Sequence, residues 1–159
     1  MLNKFFVYGT LKEDQWNDRE LYSNNRVSVE KADVVGRIYA VAGFPGVKLT
    51  GDGVVHGEIH TYPEGMVAKI TRAMDALEGY EEGRRGNHYN RKIVKATLES
   101  GEVIDANIYE YAREVYEEIE ITTGEWVEGC HMAIHAEWRK NFTKTPVVCV
   151  EENVMYAGR

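Results

Sequence analysis

Only two cysteines occur in 159 residues, Cys130 and Cys149, and they do not form a Cys-x-x-Cys pair. That spacing offers neither a disulfide framework nor a four-thiolate zinc site, and reduced thiols are expected. Long apolar runs are missing as well. Met1-Leu2-Asn3-Lys4 leads into four apolar or aromatic residues before Gly9, which is too short for a secretory core. Nothing elsewhere approaches the roughly 20 apolar residues of a membrane-spanning helix, so a cytoplasmic protein without membrane partners is expected. Positive charge is in deficit: 19 Lys and Arg against 26 Asp and Glu give a formal net charge of −7. A chain of this balance lacks the cationic face that non-specific binding to nucleic acid requires.

Motifs of several chemistries are also absent. Neither Gly-x-x-x-x-Gly-Lys-Ser/Thr nor Gly-x-Gly-x-x-Gly occurs, which removes the common nucleotide-binding fingerprints. The three serines, Ser23, Ser28 and Ser100, do not sit in a Gly-x-Ser-x-Gly elbow, so a serine hydrolase is disfavoured. His131 and His135 have helical i, i+4 spacing, but Met132 stands where a zinc protease needs glutamate. His56 and His60 share strand parity without a convincing third ligand, and no metal site is expected. Arg84, Arg85, Arg91 and Lys92 form one short basic cluster, read as a solvated loop.

What remains is ordinary globular composition: 43% hydrophobic and 28% charged residues, with ten tyrosines and three tryptophans. This is enough for one domain with a single core. Lys4 to Leu11 opens the chain as a short apolar run broken at Tyr8-Gly9-Thr10-Leu11. The run reads as a buried strand. Gly9 marks a tight turn or a close approach, and consecutive backbone N–H groups in such a turn can bind a carboxylate or phosphate. An ordinary turn after a first strand is the simpler reading of these residues alone.

Glu13 to Asn25 reads as a surface loop or short helix. Ala32 to Val41 reads as one strand with a bulge or close approach at Gly36, and Gly43-Phe44-Pro45-Gly46 punctuates the chain. Val47 to Leu49 is a short strand. Gly51-Asp52-Gly53 signals a hairpin turn into a strand over 54–60. Pro63 starts a helix with Val67, Ile70, Met74 and Leu77 on one face, and Gly79 ends it. Tyr89 to Leu98 and Val103 to Ala112 form a second hairpin. Val127, Cys130, Ile134 and Trp138 predict a second helix, and Pro146 to Val150 an edge strand.

Glu78 is the notable carboxylate. It falls at a helix C-terminus, where the macrodipole disfavours negative charge, and next to apolar positions. Both effects raise a carboxyl pKa toward the neutral range, where a proton shuttle works best. A solvated helix-end glutamate is the simpler alternative.

Three motifs in order then carry a resemblance: Tyr8-Gly9-Thr10-Leu11, Met74-Asp75-Ala76-Leu77-Glu78-Gly79-Tyr80, and Tyr89-Asn90-Arg91. Together they resemble the γ-glutamylcyclotransferase-like superfamily, in particular its AIG2-like branch, which includes γ-glutamylamine cyclotransferases. Gly36-Arg37-Ile38-Tyr39, Phe44-Pro45, Gly57-Glu58-Ile59 and Gly124-Glu125-Trp126 add to the likeness. Met74 departs from the usual leucine, the loop from Gly79 to His88 is long, and about thirty residues follow Trp126.

The resemblance implies an α+β fold, a small mixed, mainly antiparallel β-barrel with flanking helices. Residues 1–126 would form the family domain; the family implies no role for 127–159, which are expected as an extension packed on the same domain. It further implies cofactor-independent cyclisation of a γ-glutamyl amine or peptide to 5-oxoproline, with Glu78 as catalytic residue. Tyr8, Gly9, Thr10 and Leu11 would hold the small-molecule γ-glutamyl substrate; Tyr89 and Tyr111 are further candidates to line the pocket, the alternative being that both simply pack in the barrel. A non-catalytic ligand-binding or interaction protein on the same fold is the alternative, and the oligomeric state stays open.

Overall fold

The computed structural model describes residues 1–13, 18, 20–41, 44–116, 119–127, 147–149 and 154–156. Strand β1 (Lys4–Val7) is followed by the short helix α1 (Glu20–Ser23), β2 (Ser28–Val35), β3 (Arg37–Ala40), β4 (Pro45–Lys48) and β5 (Val54–Thr61). A 3-10 turn (Glu64–Met66) leads into α2 (Val67–Glu78), and β6 (Tyr89–Leu98) and β7 (Val103–Tyr111) complete the main body. Five strands close a barrel in the order β1-β5-β2-β6-β7. Every pairing is antiparallel except the closure, where β7 meets β1 in parallel at Phe5 and Asn107. The Asn107 side-chain amide reinforces this narrow seam, donating to the carbonyls of Leu2 and Lys4 at 2.9 and 3.1 Å. The fold is the expected mixed, mainly antiparallel barrel with flanking helices.

Period-two alternation sends side chains of β1 to two different cores. Phe6 and Tyr8 pack with Ala32, Val34, Ile59 and Ile108, while Phe5 and Val7 pack with Ile70 and Met74 of α2. The amphipathic stripe of α2 thus covers one outer face of the barrel. Its buried positions are Val67, Ile70, Thr71 and Met74. Leu77, expected on the same stripe, is instead 42% exposed. Leu77 borders an open cavity, and the helix then ends at Gly79, whose φ of 63° and ψ of 40° are left-handed. Tyr80 N–H closes the cap on the Asp75 carbonyl at 2.9 Å.

Two strand expectations change. The single strand over 32–41 is two strands, because the chain leaves the barrel at Gly36. A Cβ there would lie 2.6 Å from the Lys48 carbonyl oxygen, so only glycine lets the strands cross this closely. The Gly51-Asp52-Gly53 turn does not join a hairpin. β5 pairs with β2 over eight residues, from Ser28↔Thr61 to Val35↔Val54, and β4 pairs with β3. Residues 36–53 are therefore an excursion from the tip of a long β2/β5 hairpin, folded on itself as β3/β4. The β6/β7 hairpin forms as expected, in register from Tyr89↔Tyr111 to Thr97↔Val103.

In the tail, β8 (Val147–Cys149) pairs with β9 (Val154–Tyr156) in a separate two-stranded sheet, so the strand expected over 146–150 is not an edge of the barrel. The helix expected from Val127 to Trp138, with Cys130, His131 and His135, lies outside the described residues after Val127, as does Trp16 of the early loop. No described helix is long and apolar enough to cross a membrane.

Candidate active site

A cavity of about 280 Å³ opens where the end of β1, the end of α2 and the start of β6 meet. Phe6, Val7, Tyr8, Gly9, Thr10 and Leu11 line it from the end of β1, and Ala76-Leu77-Glu78-Gly79 from the helix end. Phe44, Pro45, His88, Tyr89 and Tyr109 complete it. The two stretches singled out in the sequence, 67 residues apart, thus face one hollow.

The first wall turns at Gly9, where Lys12 N–H donates to the Gly9 carbonyl at 3.0 Å. Gly9 is required by a close approach: a Cβ would lie 2.5 Å from Cγ and 2.9 Å from Cδ of Pro45. A stiff proline ring cannot swing aside as a long side chain can. The approach comes from the chain's own β4.

Glu78 is half-buried on the opposite wall. Burial pushes its carboxyl up to about 7 from the ordinary value near 4.5. Contact with the water-sized space of the cavity leaves part of its surface open, although protein surrounds it on most sides. Among the described residues, no hydrogen bond or ion pair engages this carboxylate.

Three tyrosines close enough to feel its charge have their hydroxyls committed elsewhere. Tyr8 donates to the Tyr109 carbonyl at 2.5 Å, Tyr89 to the Pro45 carbonyl at 2.7 Å, and Tyr109 to Asp75 Oδ1 at 2.7 Å. Burial first, and the Glu78 charge among the further causes, raises all three phenols, so they remain donors at neutral pH. The carboxylate is left for whatever enters the cavity.

The expected site residues divide by position. Gly9, Thr10, Leu11, Glu78 and Tyr89 lie on the cavity wall. Tyr8 contributes there too, while its hydroxyl ties β7 to the barrel core and also accepts Val47 N–H at 3.4 Å. Tyr111 is not on the wall. It stands behind Tyr89, edge to face with ring centroids 5.4 Å apart, and Lys48 donates to its carbonyl at 2.7 Å. Tyr109, two residues earlier with the same strand parity, lines the cavity in its place. A tyrosine repeat at i, i+2 signals one face of a strand but not which member reaches the hollow.

Metal-capable side chains are dispersed among the described residues, with no group of three or more. His56 Nδ1 pairs with Asp33 at 2.6 Å, and His60 Nε2 with Glu58 at 2.8 Å. The basic cluster is also divided: Arg84 sits on the exposed loop, whereas Arg91 turns inward to Asp75.

The sequence of this chain matches the family profile described as Gamma-glutamyl cyclotransferase, AIG2-like, over residues 5–128. The chain belongs to that family. No curated protein sequence matches it significantly. Among solved structures, YkqA from Bacillus subtilis is similar with a TM-score of 0.57 and 22% identity, over 89% of this chain and 44% of that one. The chain thus spans less than half of YkqA. An AIG2-like protein from Mus musculus is similar with a TM-score of 0.55 and 22% identity, over 72% of this chain and 80% of that one. The Arabidopsis thaliana protein At3g28950.1 has a TM-score of 0.55 and 21% identity, over 87% of this chain and 84% of that one. At these identities the similarity establishes the AIG2-like fold. The cavity between the Tyr8–Leu11 turn and Glu78 lies inside the matched residues.

Proposed function

We propose that this protein is a γ-glutamylcyclotransferase-type enzyme, converting a γ-glutamyl amine or peptide to 5-oxoproline and a free amine. The observation that carries this reading is the pairing across one cavity of the Tyr8–Leu11 backbone with an unengaged carboxylate, Glu78, whose pKa lies near 7. Had side chains filled the hollow, a binding or interaction role would be favoured. An open cavity with a titratable group on its wall supports catalysis.

In this reading the backbone N–H groups of the turn receive the anionic glutamyl end, holding the substrate chain folded toward ring closure. Glu78, ionised, takes a proton from the substrate's α-ammonium. The freed amine attacks the γ-carbonyl carbon, forming the ring C–N bond. Attack leaves a second surplus proton on the ring nitrogen. Glu78 gives the first proton to the amide nitrogen as the original C–N bond breaks and the carbonyl re-forms, then takes the ring nitrogen's surplus proton and passes it to the departing amine, which leaves as an ammonium while Glu78 is ionised again. Atoms and charge balance without a cofactor. One carboxyl serves as base and then acid, and a pKa close to the operating pH suits both halves.

The test is a panel of γ-glutamyl amino acids, γ-glutamyl-ε-lysine and glutathione, read by 5-oxoproline formation. At least one substrate is expected to turn over, with kcat falling about 10²-fold or more in Glu78→Gln while KM changes little. A panel without turnover would leave a ligand-binding protein on this fold. Near-normal release by Glu78→Gln would remove Glu78 from the chemistry.

A further inference from the structure

The carboxylate of Glu58 lies outside the cavity wall yet touches the turn that forms it. Val7, the last residue of β1, is the register partner of Glu58 on β5, so the strand ends beside this side chain. Six residues after Val7, the Glu13 backbone N–H donates to Glu58 Oε2 at 2.9 Å. The same oxygen accepts from His60 Nε2 at 2.8 Å. His60 is fully buried, with Nε2 facing the carboxylate and Nδ1 without a partner among the described residues. Burial alone would raise the Glu58 pKa. The hydrogen bonds from His60 and Glu13, with the Lys12 charge, outweigh it and hold the group below the ordinary carboxylate range, so it stays ionised at neutral pH.

The turn is therefore held at its far end by two long-range ties. Lys12 Nζ donates to the Trp126 carbonyl at 2.8 Å, and Glu13 N–H is held by Glu58. Among the described residues, the Lys12 N–H closes the turn on the Gly9 carbonyl. A short turn takes part of its geometry from such anchors. Gly57 admits the arrangement, since a Cβ there would lie 2.5 Å from the Val7 carbonyl oxygen and force β1 and β5 apart.

We propose that Glu58, oriented by His60, is a positioning residue that sets the substrate-binding conformation of the Tyr8–Leu11 turn through the Glu13 amide. This rests on the cyclotransferase reading for its kinetic consequence, whereas its structural consequence stands apart from that reading. Replacing the carboxylate should loosen the turn and weaken substrate binding, leaving the chemistry at Glu78 intact.

Three variants separate the tie from charge and from folding. Glu58→Ala removes the acceptor. Glu58→Asp keeps the charge but withdraws it by about 1.5 Å, beyond hydrogen-bond reach of the Glu13 amide. Glu58→Gln removes the charge and keeps an acceptor oxygen at full reach. KM is expected to rise about tenfold in the Ala and Asp variants with kcat within about twofold of wild type, and to recover largely in the Gln variant. Amide hydrogen exchange at residues 10–13 should accelerate by about tenfold in the same two variants and remain slow around Glu78. Unchanged KM in Glu58→Asp, a fall in kcat at constant KM, or unaltered exchange at 10–13 would overturn the proposal. If Glu58→Ala does not fold, the Asp and Gln variants carry the same comparison. If the wild type turns over no γ-glutamyl compound, the cyclotransferase reading fails, and the exchange measurement alone decides the role of Glu58.

Discussion

Arg91 and Tyr109 are cross-strand partners in the β6/β7 ladder, and both side chains reach the same carboxylate, Asp75 on α2. Arg91 Nε lies 2.9 Å from Asp75 Oδ1 and the Tyr109 hydroxyl 2.7 Å from the same oxygen. The Tyr80 ring stacks on Arg91, 5.3 Å from guanidinium to centroid. The final turn of α2, with Glu78 three residues on, is thereby fixed to the barrel wall. Arg91 is turned to this role through Nε and one terminal guanidinium nitrogen, 2.9 and 3.4 Å from the Asp75 carboxylate oxygens.

Asp75→Asn is therefore expected to destabilise the protein by about 1–2 kcal/mol, the range for a hydrogen bond to a charged group that is partly screened by water. For a chain of this size that is a fall of roughly 3–8 °C in Tm, read by thermal denaturation. An unchanged Tm would show that the tie carries little of the helix placement.

The raised pKa of Glu78 gives the activity a direction with pH. The base must be ionised to take the ammonium proton, so kcat/KM should fall about tenfold per pH unit below about 7. Residual activity of Glu78→Gln should lack this limb. A flat profile between pH 5 and 8 in the wild type would count against a single-carboxylate base.

The same shift makes a stability prediction of definite sign. The folded protein holds the Glu78 proton more tightly than the unfolded chain does. Its favourable contribution is present below the unfolded value near 4.5 and is lost as pH rises through about 7. Above that range the ionised, unpartnered carboxylate is a cost. Glu78→Gln should thus be more stable than wild type at pH 8, by an amount on the order of 2 kcal/mol, and nearly equal to it at pH 4. Chemical denaturation at both pH values measures the difference, and an equal effect at the two would refute the assignment of the shift.

Gly9→Ala should act on binding. Its Cβ would meet the Pro45 ring at 2.5 Å, so the turn must move away from β4. A KM increase of about tenfold with a smaller change in kcat is expected. Steady-state kinetics separates this from the turnover defect of Glu78→Gln, and an unaltered KM would show that the turn does not hold substrate.

The elements legible in the sequence are those whose cause is local. The stripe of Val67, Ile70 and Met74 with Gly79 behind it defines α2, and Glu99 to Glu102 between two β-branched runs defines the β6/β7 hairpin. The elements misread are those decided by pairing between distant residues. Gly51-Asp52-Gly53 has the local chemistry of a hairpin turn, yet β5 pairs with β2 across the whole β3/β4 excursion. Leu77 fits the helical period, but it lies on the wall of the open cavity and is 42% exposed. Tyr109 and Tyr111 are equivalent by strand parity, and only the packing of Tyr111 behind Tyr89 separates them.

The sequence by itself determined that a carboxylate would end a helix next to a glycine cap and that a glycine turn would end the first strand. Short-range periodicity and backbone sterics suffice for that. The tertiary structure decided that the two face one cavity, that Tyr8, Tyr89 and Tyr109 spend their hydroxyls on other acceptors, and that Glu78 is left unengaged. Desolvation and hydrogen-bond satisfaction depend on all the atoms that surround a group, and those arrive from strands far apart in the chain.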